Sequence, residues 1–76
     1  MTNLINALKN KGISYEVMGN QIGIRTGKHV WFWFNDHGGY LMFDHSYSQN
    51  TGRIKSGVMT GIRAKMAIKK RTGVEL

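Results

Sequence analysis

The chain has 76 residues, no cysteine and no proline, and its eleven Lys and Arg against four Asp and Glu leave a formal charge of +7. That length admits one small domain, the missing cysteines exclude disulfides, thiolate zinc sites and cysteine nucleophiles, and no apolar run approaches the ~18 residues of a membrane span. A hydrophobic fraction of 41% argues against wholesale disorder, and a pI near 10.2 points to a polyanion or an acidic protein surface as partner.

The chain is expected to open with a helix. Leu4, Ile5 and Leu8 recur at helical spacing, Thr2 or Asn3 can cap its start, and Gly12 is placed to end it in the left-handed conformation. From Ile13 the period changes to two: Ile13, Tyr15 and Val17 alternate with Ser14, Glu16 and Met18, the mark of a half-buried strand. Gly19-Asn20 supplies a two-residue hairpin turn, and Gln21 to Arg25 returns as a second strand. Turns at Thr26-Gly27-Lys28 and at Asp36 to Gly39 bound a third strand, His29 to Asn35, and lead into a fourth, Tyr40 to His45. After the polar stretch Ser46 to Gly52, a second helix is expected from about Ser56 to Arg71, with Ile54, Val58, Ile62 and Met66 as its apolar stripe. Gly57 and Gly61 each cost ~1 kcal/mol inside a helix, which fits either a close approach to the sheet or a partner, or a helix that starts only near Thr60. The expected fold class is α+β: an N-terminal helix, a four-stranded antiparallel meander and a C-terminal basic helix, one domain over residues 1–76, with both helices on one face.

The turns set an expected register. Gly19-Asn20 pairs Val17 with Ile22 and Tyr15 with Ile24, and a three-residue second turn pairs Ile24 with Val30 and Ile22 with Phe32. One face then gathers Ile13, Tyr15, Val17, Ile22, Ile24, Val30, Phe32, Phe34, Leu41 and Phe43 for the helices to cover. The other carries Trp31, Trp33, Tyr40 and Met42 beside Arg25, with Trp31 over Gly23 and Trp33 opposite Met42. Such a patch suits cross-strand packing, a protein interface or a stacking platform for single-stranded nucleic acid. Only Arg25 and His29 supply positive charge there, against Glu16 and Asp44, which weighs against a phosphate-tracking platform.

Charge gathers at the back: residues 1–45 sum to +1 and residues 46–76 to +6. Arg53, Lys55 and Ser56 stand just before the second helix, whose N-terminal N–H groups suit phosphate, and Arg63, Lys65, Lys69, Lys70 and Arg71 follow on the helix itself. This pattern fits the phosphates of DNA or RNA, an acidic protein surface, or a solvated helix end whose last cations complement the dipole. The Gly, four spacers, Gly-Lys-Ser order of a nucleotide-binding phosphate loop is absent, so no ATPase is read here.

His29, His37 and His45 recur every eight residues, and two of them follow aspartates, Asp36 and Asp44. Strand alternation sends Asp44 and His45 to opposite faces and Asp36-His37 falls in a turn, so neither a metal site nor a cofactor is expected. Gly27-Lys28-His29-Val30-Trp31-Phe32, with Ile54-Lys55-Ser56-Gly57 further on, resembles in layout the HicA-type toxins, small basic ribonucleases built from a helix, a three-stranded sheet and a helix. The resemblance covers about half the chain, with Lys28 where that family usually has serine, and it implies His29 as a general acid or base acting on RNA.

The leading expectation is a non-enzymatic nucleic-acid-binding accessory protein of the size found among bacteriophage proteins. Arg53, Lys55, Ser56, Arg63, Lys65, Lys69, Lys70 and Arg71 would hold phosphates, and the face of Arg25, Trp31, Trp33, Tyr40 and Met42 would join two copies in a homodimer. The alternative is a small inhibitor that docks on a host protein through the same Trp/Tyr face, and the third is the HicA-like ribonuclease. The opening Met1-Thr2-Asn3 lacks the layout of a signal peptide, so a cytoplasmic location and no membrane partner are expected.

Overall fold

The computed structural model describes residues 1–76. Helix α1 (Thr2–Asn10) begins with Met1 at the cap position and no side-chain cap bond, so neither Thr2 nor Asn3 caps it as expected; both already lie inside the first turn. Its buried stripe is Leu4 and Leu8. It ends as the sequence predicts: Gly12 takes φ +66°. The Gly12 N–H donates to the Lys9 carbonyl at 3.1 Å and the Ile13 N–H to the Leu8 carbonyl at 2.9 Å. These paired bonds satisfy the last carbonyls of the helix and need a residue without a Cβ penalty at that φ.

Strands β1 (Tyr15–Met18), β2 (Gln21–Arg25), β3 (Val30–Asp36), β4 (Leu41–Ser48) and β5 (Ile54–Lys55) form one antiparallel sheet in chain order. Helix α2 (Val58–Thr72) follows. The class is α+β with two helices, but the sheet has five strands where four were expected. The additional strand arises because β4 runs three residues past His45, to Ser48, and turns back: the Ser48 N–H donates to the Arg53 carbonyl at 2.9 Å, and Lys55 and Ile54 pair with Ser46 and Tyr47. Ile54 is therefore in a strand and not on the helix.

The first hairpin has the expected register, Tyr15 with Ile24 and Val17 with Ile22. The second is shifted by two: Ile24 faces Phe32 and Ile22 faces Phe34, in place of Val30 and Phe32. A shift of two leaves every side chain on its expected face, so alternation alone could not choose between the registers. The observed one pairs all five residues of β2 with β3 and adds a bond from the Gln21 amide to the Asn35 side-chain oxygen at 2.8 Å. It also sets Trp33, and not Trp31, on Gly23, where an added Cβ would lie 2.6 Å from the indole.

Between β3 and β4 the ladder slips. Phe34 faces Phe43, yet Trp33 faces His45, so Asp44 is the extra residue of a β-bulge. Past the bulge every residue of β4 changes face relative to simple alternation. His45 and Tyr47 join Trp33 and Trp31, while Ser46 and Ser48 stand opposite Phe32 and Val30 on the other side.

Seven residues close the core: Leu4 and Leu8 from α1, Ile22 and Ile24 from β2, Phe34 from β3, and Ala64 and Ile68 from α2. The inward face of α2 is thus Gly61, Ala64 and Ile68. The expected stripe points outward instead, with Val58 79%, Ile62 46% and Met66 66% exposed. The helix approaches closely enough that a Cβ on Gly61 would lie 3.0 Å from Phe43, so small residues hold the inward face and the large ones are left outside. Close approach is what is observed at Gly61; Gly57 lies before the helix at φ +103° with nothing within 4 Å of it, and the helix begins at Val58, neither at Ser56 nor near Thr60. No helix is long and apolar enough to cross a membrane.

Candidate nucleic-acid interface

The bulge at Asp44 and the return strand β5 build a pocket at one corner of the sheet. Its floor is Val30 and Phe32 of β3 with Ser46 and Ser48 of β4; its wall is Thr51 and Arg53 of the β4–β5 turn, Lys55 of β5, and Thr60 and Arg63 of α2. The cavity measures about 410 Å³. Three cations and four hydroxyls line it, and no carboxylate does. Lys55 is the ladder partner of Ser46, so an ammonium and a hydroxyl converge from adjacent strands. Ser46 is only 7% exposed. It takes no part in the side-chain hydrogen bonds of the chain, and since no enclosed side-chain polar atom lacks a partner, its hydroxyl is open to the cavity.

The turn is held by its own side chains. The Thr51 N–H donates to Ser48 Oγ at 3.4 Å and the Arg53 N–H to Thr51 Oγ1 at 3.3 Å, which fixes the chain leading into Arg53. Helix α2 starts at Gly57 without a side-chain cap and with no acidic residue in its first turn. Of the first turn of α2 only Thr60 lines this pocket, while Gly57 and Val58 line a separate depression with Phe43 and Lys65.

A second basic basin lies elsewhere on the surface. Lys11, Arg25, Lys28 and Arg71 surround Gly12, Ile13, Ser14, Thr26 and Gly27, again with no carboxylate, in a wide depression of about 510 Å³. Arg71 reaches it from the last turn of α2, and Thr26 is buried beneath it.

The structure thus brings Arg53, Lys55 and Arg63 together, and joins Arg71 to Arg25. The other proposed phosphate ligands join neither basin, and Lys65 and Lys69 instead share a depression with Glu75. Ser56 does not line the pocket; its carbonyl accepts the Thr60 hydroxyl at 3.3 Å. Lys65 lies across α2 beside Phe43, Val58 and Ile62. Lys69 forms an exposed ion pair with Glu75 at 3.3 Å, and Lys70 is exposed. Sequence reasoning missed Ser46, Ser48, Thr51 and Thr60, whose placement depends on the bulge, and Lys11 and Lys28, whose convergence with Arg71 is a matter of tertiary packing.

The outer face of the sheet differs from expectation in composition. Trp31 and Trp33 stack with centroids 6.3 Å apart, and His45 stacks on Trp33 at the same spacing. Tyr47 stands opposite Trp31, and Arg25 flanks it on the other side. Tyr40 is not in this row; it lies in the β3–β4 turn and stacks on His37 at 5.7 Å. Met42 faces Asn35. The premise that Asp44 and His45 point to opposite faces is overturned by the bulge: His45 Nδ1 donates to Asp44 Oδ2 at 2.6 Å, and the Asn35 amide donates to Asp44 Oδ1 at 3.1 Å. These bonds hold the Asp44 carboxyl below its ordinary range, the His45 bond being the larger cause. Nowhere do three His, Asp or Glu side chains converge on one point. His29 lies exposed in the β2–β3 loop, where its carbonyl accepts the Gln49 N–H at 2.7 Å.

Comparison with protein-family models, with curated proteins and with solved structures finds no match. The function is therefore argued from the site itself.

Proposed function

We infer that the protein binds nucleic acid without catalysing a reaction, using the Arg53/Lys55/Arg63 corner as its principal phosphate contact. The observation that carries this reading is the sorting of cations: three line one basin and four another, and no carboxylate enters either. A solvated basic surface would intersperse charges of both signs. Two unneutralised basins on a body 30 × 25 × 22 Å across suit a partner that repeats its negative charge over that length. Phosphate contacts of this kind fix position on the strand and carry no sequence information. The reading takes both helices to lie against the Ile22/Ile24/Phe34 side of the sheet, which leaves the Trp31/Trp33 row free. Two copies paired through that row would offer two corners to one polyanion, and sedimentation at rising concentration tests the pairing.

Anisotropy of a labelled oligonucleotide tests the function. Binding at about 50 mM salt should weaken steeply by about 200 mM, and Arg53→Gln with Arg63→Gln should lower both the affinity and the salt slope. Absence of binding at the lower salt contradicts the reading.

One observation favours a second reading, a small protein that docks on another protein. Val58, Met59, Ile62 and Met66 form an exposed apolar ridge on α2, between 46% and 79% exposed, and such patches mark contact surfaces. On that reading Ile62→Ser with Met66→Ser removes partner binding, and the pocket substitutions leave it intact.

A further inference from the structure

The corner pocket differs in kind from a groove that tracks a backbone. We propose that it receives a phosphomonoester attached to an organic group, the terminal phosphate of a nucleic-acid strand or the phosphate of a free mononucleotide; the proposal rests on the nucleic-acid reading above and makes its ligand specific.

Shape is the first argument. The cavity is lined by the sheet (Val30, Phe32, Ser46, Ser48), the β4–β5 turn (Thr51, Arg53), Lys55 of β5, and Thr60 and Arg63 of α2. An internal phosphodiester enters and leaves a site with a nucleotide on each side. A concave pocket of about 410 Å³, lined from three elements, has the volume for a chain end.

Charge is the second. A monoester carries roughly −1.5 to −2 near neutral pH and offers three terminal oxygens, against a single charge on a diester. Arg53, Lys55 and Arg63 match the larger charge.

The third argument is the Ser46 hydroxyl. Ser46 is more than nine-tenths buried, its hydroxyl has no hydrogen-bond partner in the chain, and it lines this cavity with Lys55, its ladder partner. A hydroxyl with no partner in the chain is free to donate to a phosphate oxygen that enters the cavity. The β-bulge that inverts the pleat at Asp44 is what puts it there. Bulges recur beside binding sites because they re-aim a side chain in this manner. The apolar floor of Val30 and Phe32 is the fourth argument: an inorganic ion has no use for it, whereas a sugar or base covers it.

The test compares one oligonucleotide sequence bearing a 5′-phosphate, a 3′-phosphate or neither, each labelled at an internal position, together with a nucleoside monophosphate and inorganic phosphate as competitors. One phosphorylated end is expected to bind at least about tenfold tighter than the unphosphorylated strand, the worth of a charge-assisted hydrogen bond. Ser46→Ala should bring the ratio of phosphorylated to unphosphorylated affinity close to one, and Arg63→Gln should weaken both strands while costing the phosphorylated one more; a ratio that stays at about tenfold in both variants overturns the proposal. Displacement by the mononucleotide and not by inorganic phosphate identifies the free nucleotide as a sufficient ligand; preference for the phosphorylated strand without such displacement identifies the strand end. Equal binding of all three oligonucleotides overturns the proposal and leaves the nucleic-acid reading standing. Failure of every oligonucleotide to bind overturns the nucleic-acid reading, and failure of the mononucleotide as well overturns both.

Discussion

Two sets of large apolar side chains lie outside the core, and they differ in what they touch. Among the aromatic side chains of the sheet, Trp33 lies on Gly23 and stacks with Trp31 and with His45, and both indoles are half-buried. On α2, Val58, Met59, Ile62 and Met66 stay between 46% and 79% exposed and none enters the core. Their helix turns its small residues inward, where Gly61 meets Phe43 and Ala64 and Ile68 enter the core. Close approach, rather than hydrophobicity, decided which face of α2 is buried. The aromatic row behaves as a packed part of the sheet, and the ridge as surface awaiting a use.

The comparison breaks first at the inward face of α2. Ile68→Ala should cost about 2–5 kcal/mol, because it opens a cavity in a core of only seven residues. Urea denaturation measures it, and a cost under ~1 kcal/mol would mean that α2 is not held as described.

Next comes the aromatic row. Gly23→Ala places a Cβ where the Trp33 indole lies, so the ring must leave its seat; overpacking of this kind costs about 1–3 kcal/mol. The near-UV circular dichroism of the stacked tryptophans should fall with it. Unchanged near-UV signal would show that the indole does not rest on Gly23.

The solvent ridge should respond least to truncation. Ile62→Ser with Met66→Ser should shift stability by no more than about 0.5 kcal/mol each, since neither side chain fills the core. A loss comparable to that of Ile68→Ala would restore the stripe expected from periodicity.

The smallest effect concerns the bulge. The His45 hydrogen bond, with that of Asn35, lowers the Asp44 pKa in the folded chain, so the unfolded chain binds the proton more readily. The stabilisation is therefore complete above about pH 5 and is lost as the pH falls below about 4. Because the Asp44 side chain is 43% exposed, solvent screens the pair and the contribution should stay within ~0–1 kcal/mol. Asp44→Asn should remove this part of the acid dependence, and an identical slope in the variant would assign it to other carboxylates.

Much of the fold is legible in the sequence because local signals are strong where they exist. The Gly12 terminus, the Gly19-Asn20 hairpin and the alternation of β1 and β2 all follow from neighbours in the chain. What escaped depends on contacts between distant residues. The two-residue register shift preserves face parity, and only the fit of Trp33 on Gly23 and of Gln21 with Asn35 distinguishes it. The bulge has no marker near Asp44, yet it decides the surroundings of Ser46, Ser48, His45 and Tyr47. Strand β5 is two residues long and reads as the lead into a helix. The site was legible to the same degree: Arg53, Lys55 and Arg63 stand out by charge, while the hydroxyls between them become visible only once β4 is known to pass the bulge and fold back.

Chemical-shift mapping of the backbone amides during titration with a 5′-phosphorylated oligonucleotide tests the central claim most directly. The account predicts that the largest changes fall at Ser46, Thr51, Arg53, Lys55, Thr60 and Arg63, with lesser ones around Lys11, Lys28 and Arg71. Changes confined to Trp31, Trp33 and His45, or to the Val58–Met66 ridge, would contradict it.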